Sequence, residues 1–299
     1  MMKKLLLPLL LSLLVCAALI IFGSQKHNEE KISAPDKAPE RIVSLAPNLT
    51  EILFELGLGD KIIAVSNDSD YPPQVAKIDK VGTFWKPSTE AILTMKPDLV
   101  ITLWFEEQKS VADTLRGYGY NTLVLSLQKL SDLPNAIKKI GIVTGTQEKA
   151  EHLSNDIENK INELKEKYKR NEKIKVLWVI SDEPLRVAGR ETFLNELLEA
   201  AGAENAIGKT FQKYPSISSE EILSCGAEVI IQSAMSKSNI ESQQENAELF
   251  WSKYPSLPAV KNGRIYVLES DELLRLGPRL SEGIEIIANC LYENSAKNN

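Results

Sequence analysis

Short apolar runs alternate with segments of helical periodicity along the chain beyond residue 40. The apolar runs predict strands at residues 41–45, 62–65, 99–103 and 122–125, and again at 175–180, 229–232 and 264–268. Between them, the spacing of apolar residues predicts helices at 50–56, 191–201 and 281–292. Strands that alternate with helices form a largely parallel sheet covered on both faces. The pattern therefore predicts an α/β fold.

The second half of the chain repeats the pattern of the first. Residues 50–57 return loosely as 195–202, and both segments end in glycine. Residues 88–101 predict a helix with an acid in its first turn, followed by a buried strand, and residues 218–231 repeat this pattern. This duplication predicts two similar Rossmann-like lobes with a cleft between them, and such clefts are favoured sites for small ligands.

A long helix is predicted at residues 146–170, after a change in the periodicity. Its apolar residues fall at intervals of three and four, namely Ala150, Leu153, Ile157, Ile161, Leu164 and Tyr168. At about 1.5 Å per residue the helix would extend roughly 37 Å, which is long enough to cross between lobes. We therefore expect lobes at 41–145 and 172–294, joined by a rigid connecting helix at 146–171.

The N-terminus carries a segment typical of export. Two lysines precede an uncharged apolar run at residues 5–22, which fits a signal-peptide core or an uncleaved membrane anchor. Cys16 suggests lipid attachment, although Val15 precedes it and the apolar run continues beyond it. We expect residues 1–30 to be a signal peptide or anchor and 31–40 a flexible tether. The remaining chain would then lie outside the cytoplasm, in the periplasm or on the outer face of the cell membrane.

Composition excludes several classes of function. The formal net charge of −6 argues against a nucleic-acid partner, which would require a basic surface. We expect Cys225 and Cys290 to be buried thiols, with a disulfide as the alternative, and their spacing does not resemble a metal site. The two histidines, His27 in the tether and His152 on the charged side of the long helix, are poorly placed for a general base. No nucleophile elbow or phosphate loop occurs, so the sequence argues against an enzyme.

Four motifs together resemble one protein family. They are RIVSLAP at 41–47, SDYPP at 69–73, KPDLVI at 96–101 and PAVKNGRIY at 258–266. They resemble the extracytoplasmic solute-binding proteins of ABC importers for cobalamin, haem and ferric siderophores, over residues 40–292. SDYPP, together with Asp271 and Arg275, is most similar to the cobalamin binders. The resemblance implies a ligand held between lobes that open and close little, because a helix resists hinge bending. A sensor or adhesion protein without transport is the rival interpretation.

The resemblance also implies a flat, largely apolar ring bound by aromatic side chains. The family's pocket falls on Tyr71, Phe84 and Tyr214, and Trp85 and Trp104 lie nearby in sequence. Tyr71 and Tyr214 stand beside prolines in predicted loops, where binding residues concentrate. The tryptophans expected in the hydrophobic core are Trp178 and Trp251.

Asp271 and Arg275 are the polar candidates, between the last strand and the last helix. A local surface ion pair is the alternative interpretation of these two residues. Arg186 stands where the cobalamin binders would have an aromatic residue, and arginine suits the carboxylates of haem or an anionic siderophore. We therefore expect cobalamin as the ligand, with haem or a ferric siderophore as the alternative, and no cofactor or metal.

Glu90 and Glu220 occupy equivalent positions at two predicted helix starts. An acid there stabilises the helix dipole by about 0.3–1 kcal/mol, which would explain both residues by itself. The spacing of Ser218 and Glu221 is a capping-box pattern that accounts for Glu221. The resemblance implies instead that Glu90 and Glu220 dock on arginines of a dimeric ABC permease with its ATPase subunits. One acid per lobe suits a two-fold symmetric transporter, so docking is our prediction.

Overall fold

The computed structural model describes residues 34–234, 238–269 and 271–292. The predicted signal or anchor segment at 1–30 lies outside them, and residues 34–40 of the predicted tether contain no helix or strand. Within the described residues, no helix is long and apolar enough to cross a bilayer.

The first sheet is entirely parallel, with strand order β3-β2-β1-β4-β5. Its strands are β1 (Ile42–Ser44), β2 (Ile62–Val65), β3 (Asp79–Lys80), β4 (Leu99–Leu103) and β5 (Thr122–Leu125). The accompanying helices are α1 (Pro47–Glu55), α2 (Thr89–Met95), α3 (Glu106–Gly117) and α4 (Asp132–Thr144). Val43, Ala64 and Val100 from neighbouring strands pack with Ile92 of α2 and Leu115 of α3 in a buried core. We call these elements the first lobe.

Helix α5 (Gln147–Lys167) leads to the second sheet, in which β6 pairs in parallel with β8 and β9, and β9 with β10. The strands are β6 (Lys175–Asp182), β7 (Leu185–Val187), β8 (Glu204–Asn205), β9 (Val229–Ser233) and β10 (Ile265–Leu268), with β7 antiparallel to β6. The helices are α6 (Phe193–Ala200), α7 (Ser219–Cys225), α8 (Ile240–Trp251), α9 (Pro258–Lys261), α10 (Asp271–Leu274) and α11 (Leu280–Tyr292). We call β6–β10 with α6–α11 the second lobe. Its strand order β8-β6-β9-β10 repeats β2-β1-β4-β5, which confirms the predicted duplication.

The connecting helix α5 contacts α4 of the first lobe and both α6 and α11 of the second. It has 21 residues, so its length is about 31 Å rather than the predicted 37 Å. The helix ends earlier than predicted because Tyr168 already forms the C-cap, its amide donating to Leu164 and Glu166. Thr146 stands at the N-cap, but its hydroxyl bonds Thr144 instead of the helix. Within the helix, the apolar stripe is buried as predicted except at Leu153, which is half-buried, and the neighbouring Ser154 is buried instead. The helix joins the two lobes.

Helices α1 and α6 end in the same way. Gly57 has φ +75° and Gly202 has φ +78°, a left-handed conformation that favours glycine. After each glycine, the next amide bonds a carbonyl five residues back at 2.9 Å. The two lobes therefore repeat backbone geometry as well as strand order.

Two further predictions concern cysteines and metals. Cys225 lies on α7 and Cys290 on α11, and no disulfide joins them. Cys290 is buried as expected, whereas Cys225 is half-buried, and burial raises the pKa of its thiol. The residues that the structure describes contain no cluster of three or more His, Cys, Asp or Glu side chains able to hold a metal ion.

Candidate ligand-binding site

The two lobes meet through the loops at the carboxyl ends of their parallel strands. Arg275, beyond β10, contacts Asp70, beyond β2, with 2.7 Å between Nη1 and Oδ1. Lys213, beyond β8, donates to Oε1 of Gln128, beyond β5, at 2.6 Å. Ligands of open α/β sheets bind at this edge. The carboxyl edges of the two sheets therefore face each other at this junction, which is where the sequence predicts the cleft.

An exposed aromatic cluster lines this edge of the first lobe. Tyr71, Phe84, Trp85 and Trp104 follow the carboxyl ends of β2, β3 and β4. Phe84, Trp85 and Phe105 stack edge to face, with ring centroids 4.7–5.6 Å apart. Trp85 is 63% exposed and Trp104 is 45% exposed. The structure thus brings these predicted residues to one edge and adds Phe105, which was not among them.

Gln108, fully buried at the start of α3, holds this cluster in place. Its amide nitrogen donates to the Phe84 carbonyl at 2.8 Å, and its amide oxygen accepts from the Leu103 amide at 2.9 Å. Asp68 accepts a hydrogen bond from the Phe84 amide. A buried side chain with several hydrogen bonds is fixed in orientation, so the loop carrying Phe84 is tied to the end of β4.

The second lobe contributes a segment that runs beside β7. The Gly189 amide donates to the Lys213 carbonyl at 2.8 Å, and the Val187 amide donates to the Pro215 carbonyl at 3.1 Å. Tyr214, between those carbonyls, is half-buried, and burial raises the pKa of its phenol, so the ring stays neutral at physiological pH. Arg186 is exposed on β7, whose backbone forms a β-bridge to Ser216. The structure therefore places Arg186 and Tyr214 on adjoining segments.

Asp271 and Arg275 form an ion pair within α10 and the turn that follows, with 3.0 Å between Nη2 and Oδ1. Their side chains are only 14% and 17% exposed. Arg275 also donates to the Asp68 carbonyl at 3.2 Å, in addition to its contact with Asp70. The ion pair is therefore local, as the alternative interpretation has it, but it is largely buried, and Arg275 also reaches the first lobe.

The most buried charge at this junction is Glu51 of α1, which follows the first family motif and to which the sequence assigned no role. Its side chain is 3% exposed and accepts two hydrogen bonds from Arg279, at 2.8 and 3.0 Å. These hydrogen bonds raise the pKa of Arg279. Glu51 lies between Thr50 and Ile52 in a run of buried residues at 48–53. The only charged residue in that run was the signal that could have revealed it.

Glu90 and Glu220 lie exposed in the first turns of α2 and α7. Ser88 and Ser218 cap these helices through their side chains, and the predicted capping box with Glu221 is confirmed. Neither the Glu90 nor the Glu220 carboxylate bonds another described residue. Because each helix follows the carboxyl edge of its sheet, both acids lie near the edge that forms the cleft.

Residues 42–272 match the family model described as periplasmic binding protein, which is more than half of the chain. The chain therefore belongs to the periplasmic binding protein family, a family of extracytoplasmic solute-binding proteins. This confirms the resemblance and the α/β fold class inferred from the motifs.

Individual relatives extend the comparison. The chain is 29% identical over 285 residues to the vitamin B12-binding protein of Vibrio parahaemolyticus, covering 95% of this chain and 98% of the relative. It is 32% identical over 270 residues to an ABC transporter substrate-binding lipoprotein of Bacillus subtilis, covering 87% and 82%. Its fold is similar to the apo form of a periplasmic heme-binding protein from Roseiflexus, with TM-score 0.74, 25% identity and coverage of 85% and 98%.

Proposed function

We propose that this protein captures cobalamin in the cleft between its lobes and delivers it to the permease of an ABC importer. The observation that carries the proposal is the exposed aromatic cluster at the carboxyl edge of the first lobe. Exposed aromatic side chains gathered at one edge mark a binding surface, and a ligand that covers them gains apolar contact. The vitamin B12-binding relative supports cobalamin as that ligand.

The chemistry of the edge suits a flat ring with polar substituents. Trp85 and Trp104 offer aromatic faces on one side, and Tyr214 offers a neutral phenol on the other. Asp271 and Arg275 stand between the lobes, where they would reach the polar periphery of the ring. Apolar walls with few polar anchors are typical of small-molecule sites.

Haem, or a ferric siderophore, is the second candidate ligand. Exposed Arg186 is the observation that favours it, because a guanidinium binds a carboxylate bidentately. The heme-binding protein from Roseiflexus, which has a similar fold, gives further support.

Transport also requires a partner in the membrane. We propose that Glu90 and Glu220 dock on arginines of a dimeric permease coupled to ATPase subunits, and that the chain binds its ligand without catalysis. The relative that is an ABC transporter substrate-binding lipoprotein supports this partner. Residues 1–30 would direct the chain across the membrane, with residues 5–22 kept as an anchor if they are not removed.

Titration calorimetry tests the ligand directly. The full-length protein in mild detergent is titrated with cyanocobalamin, with haem and with a ferric siderophore. We expect one cobalamin per chain, bound more tightly than the other two compounds. Tighter binding of haem than of cobalamin would show that haem, the second candidate, is the ligand. Binding of none of the three, together with turnover of any substrate, would overturn transport as the function.

A further inference from the structure

Glu51 is a buried carboxylate in a tightly packed part of α1, between Thr50 and Ile52, which are both completely buried. Leu49, Ile52 and Leu53 around it are completely buried, and the Glu51 side chain is 3% exposed. Burying a charge is costly unless it is paired and hydrogen-bonded. Arg279, 228 residues away in the chain, meets that need with two hydrogen bonds, from Nε at 3.0 Å and from Nη2 at 2.8 Å. The pairing joins the lobes at a fixed geometry.

Arg279 is thereby oriented toward a residue of the proposed site. Its guanidinium lies 3.9 Å from the centroid of the Tyr71 ring, and its remaining nitrogen bonds Glu272. A planar cation held along two edges has a fixed position over the ring, where it makes a cation–π contact. Tyr71 is 39% exposed, so part of it remains available to a ligand.

Arg275 also connects Glu51 to the loop that carries Asp70 and Tyr71. Its Nη1 lies 3.5 Å from Glu51 Oε1 and 2.7 Å from Asp70 Oδ1. The two arginines therefore hold consecutive residues, Asp70 and Tyr71. Glu51 anchors Arg279 directly and makes a longer contact with Arg275.

We propose that Glu51 is a positioning residue for ligand binding, which acts through Arg279 and Arg275 to fix Asp70 and Tyr71 at the cleft. This inference rests on the proposed function, since Tyr71 is one of the residues predicted to contact the ligand. Glu51 itself is too buried to touch a ligand. Its contribution is to present Tyr71 in one orientation before the ligand arrives, which lowers the entropic cost of binding.

The duplication supplies a matched control. Glu196 of α6 occupies the position equivalent to Glu51, and it also reaches the other lobe. Its Oε2 accepts a hydrogen bond from the Leu130 amide at 2.6 Å, a contact that involves neither arginine nor Tyr71. A variant of Glu196 therefore removes an acid between the lobes without disturbing the Tyr71 loop.

The first measurement needs no ligand. The full-length protein is labelled with 3-fluorotyrosine, and the signal of Tyr71, one of eight tyrosines, is assigned from its loss in Tyr71→Phe. We expect Glu51→Gln and Arg279→Lys to shift or broaden the Tyr71 fluorine signal, because lysine lacks the planar group that lies over the ring. Glu196→Gln should leave that signal unchanged. An unmoved Tyr71 signal in a folded Glu51→Gln protein would overturn the proposal.

The second measurement uses cyanocobalamin. Glu51→Gln should weaken its binding about 10- to 100-fold, the loss typical of removing a charge-assisted contact. In a Tyr71→Ala background the same change should have a clearly smaller effect, because the residue to be positioned is gone. Equal losses in both backgrounds would contradict positioning. If the wild type binds no cyanocobalamin, the proposed function fails, and the fluorine signal alone decides the role of Glu51.

Discussion

The tryptophans of the first lobe, Trp85 and Trp104, are 63% and 45% exposed, whereas those of the second lobe, Trp178 and Trp251, are completely buried. The lobes share strand order, helix caps and terminal glycines, yet they use their largest side chains in opposite ways. The duplicated pattern therefore specifies a backbone framework, and the aromatic side chains are assigned separately in each lobe. In the first lobe they stand at the cleft, and in the second they fill the core.

The buried pair packs within the core of the second lobe, although only Trp178 satisfies its indole N–H. Trp178 donates its indole N–H to the Ser233 hydroxyl at 3.1 Å, which satisfies its polar atom. Trp251 packs against Phe250 and Tyr254, with ring centroids 5.1 and 5.8 Å away. Both positions confirm the prediction that these residues belong to the core.

The largest effect should follow removal of a buried ring. Trp251→Ala deletes a completely buried side chain, and such truncations typically cost about 3–5 kcal/mol in the free energy of unfolding. Trp85→Ala, at an exposed position, should change that free energy by less than about 0.5 kcal/mol. Urea unfolding followed by circular dichroism measures both. A comparable cost for the two variants would show that the exposed cluster is structural.

Variants of Glu90 and Glu220 test whether the two lobes contribute equally to binding the permease. Glu90→Gln and Glu220→Gln should each weaken binding to the permease by about 1.5–3 kcal/mol if the charges pair with arginines. The double variant should be far weaker than either, with ligand affinity unchanged. Binding to the permease complex in nanodiscs provides the measurement.

Glu221→Gln is the control for docking, since it removes an adjacent exposed charge that the capping box already explains. Normal permease binding and uptake in the Glu90/Glu220 double variant would leave these two acids as ordinary helix-start residues. Unequal losses in the two single variants would show that the lobes dock asymmetrically.

The paired glycines predict unequal costs for the same substitution. Alanine in the left-handed region costs roughly 1–2 kcal/mol at either position. At Gly202 the new Cβ would also lie 1.9 Å from the backbone oxygen of Tyr168, where α5 ends on the second lobe. At Gly57 it would meet only the flexible end of Lys149, at 2.7 Å. The melting temperature of Gly202→Ala should therefore be well below that of Gly57→Ala in thermal unfolding. Equal melting temperatures would contradict the expected difference in cost.

The strands that could be predicted from the sequence are the ones that are largely buried. The bounds of β2, β4 and β5 agree with the sequence analysis, because largely buried strands read as apolar runs. The strands that escaped prediction include Asp79–Lys80 and Glu204–Asn205, which have two polar residues each. Asp79–Lys80 is a strand because it pairs with β2, and Glu204–Asn205 is a strand because it pairs with β6. Two polar residues carry no periodicity, so the sequence alone does not predict these strands.

The positions of the candidate site residues could be predicted where they follow from the local sequence. Tyr71 and Tyr214 stand beside prolines in loops, and Glu90 and Glu220 repeat at two helix starts. The pairing of Glu51 with Arg279 joins residues 228 positions apart. Periodicity describes neighbours within one element, so only the packing of α1 against the second lobe could identify that pair.

The smallest predicted difference separates the two serine caps. Ser88→Ala and Ser218→Ala should each cost about 1 kcal/mol in the free energy of unfolding at neutral pH, because each serine side chain caps its helix.

Ser218 differs from Ser88 in that its backbone and hydroxyl hydrogen bonds lower the pKa of Glu221. A carboxylate with a lowered pKa contributes stability above its unfolded pKa and loses it as pH falls through the folded value. The cost of Ser218→Ala should therefore shrink between pH 7 and about pH 3, whereas the cost of Ser88→Ala should not. Urea unfolding at both pH values compares the two variants, and parallel pH dependence would mean that the capping box adds nothing to the second lobe.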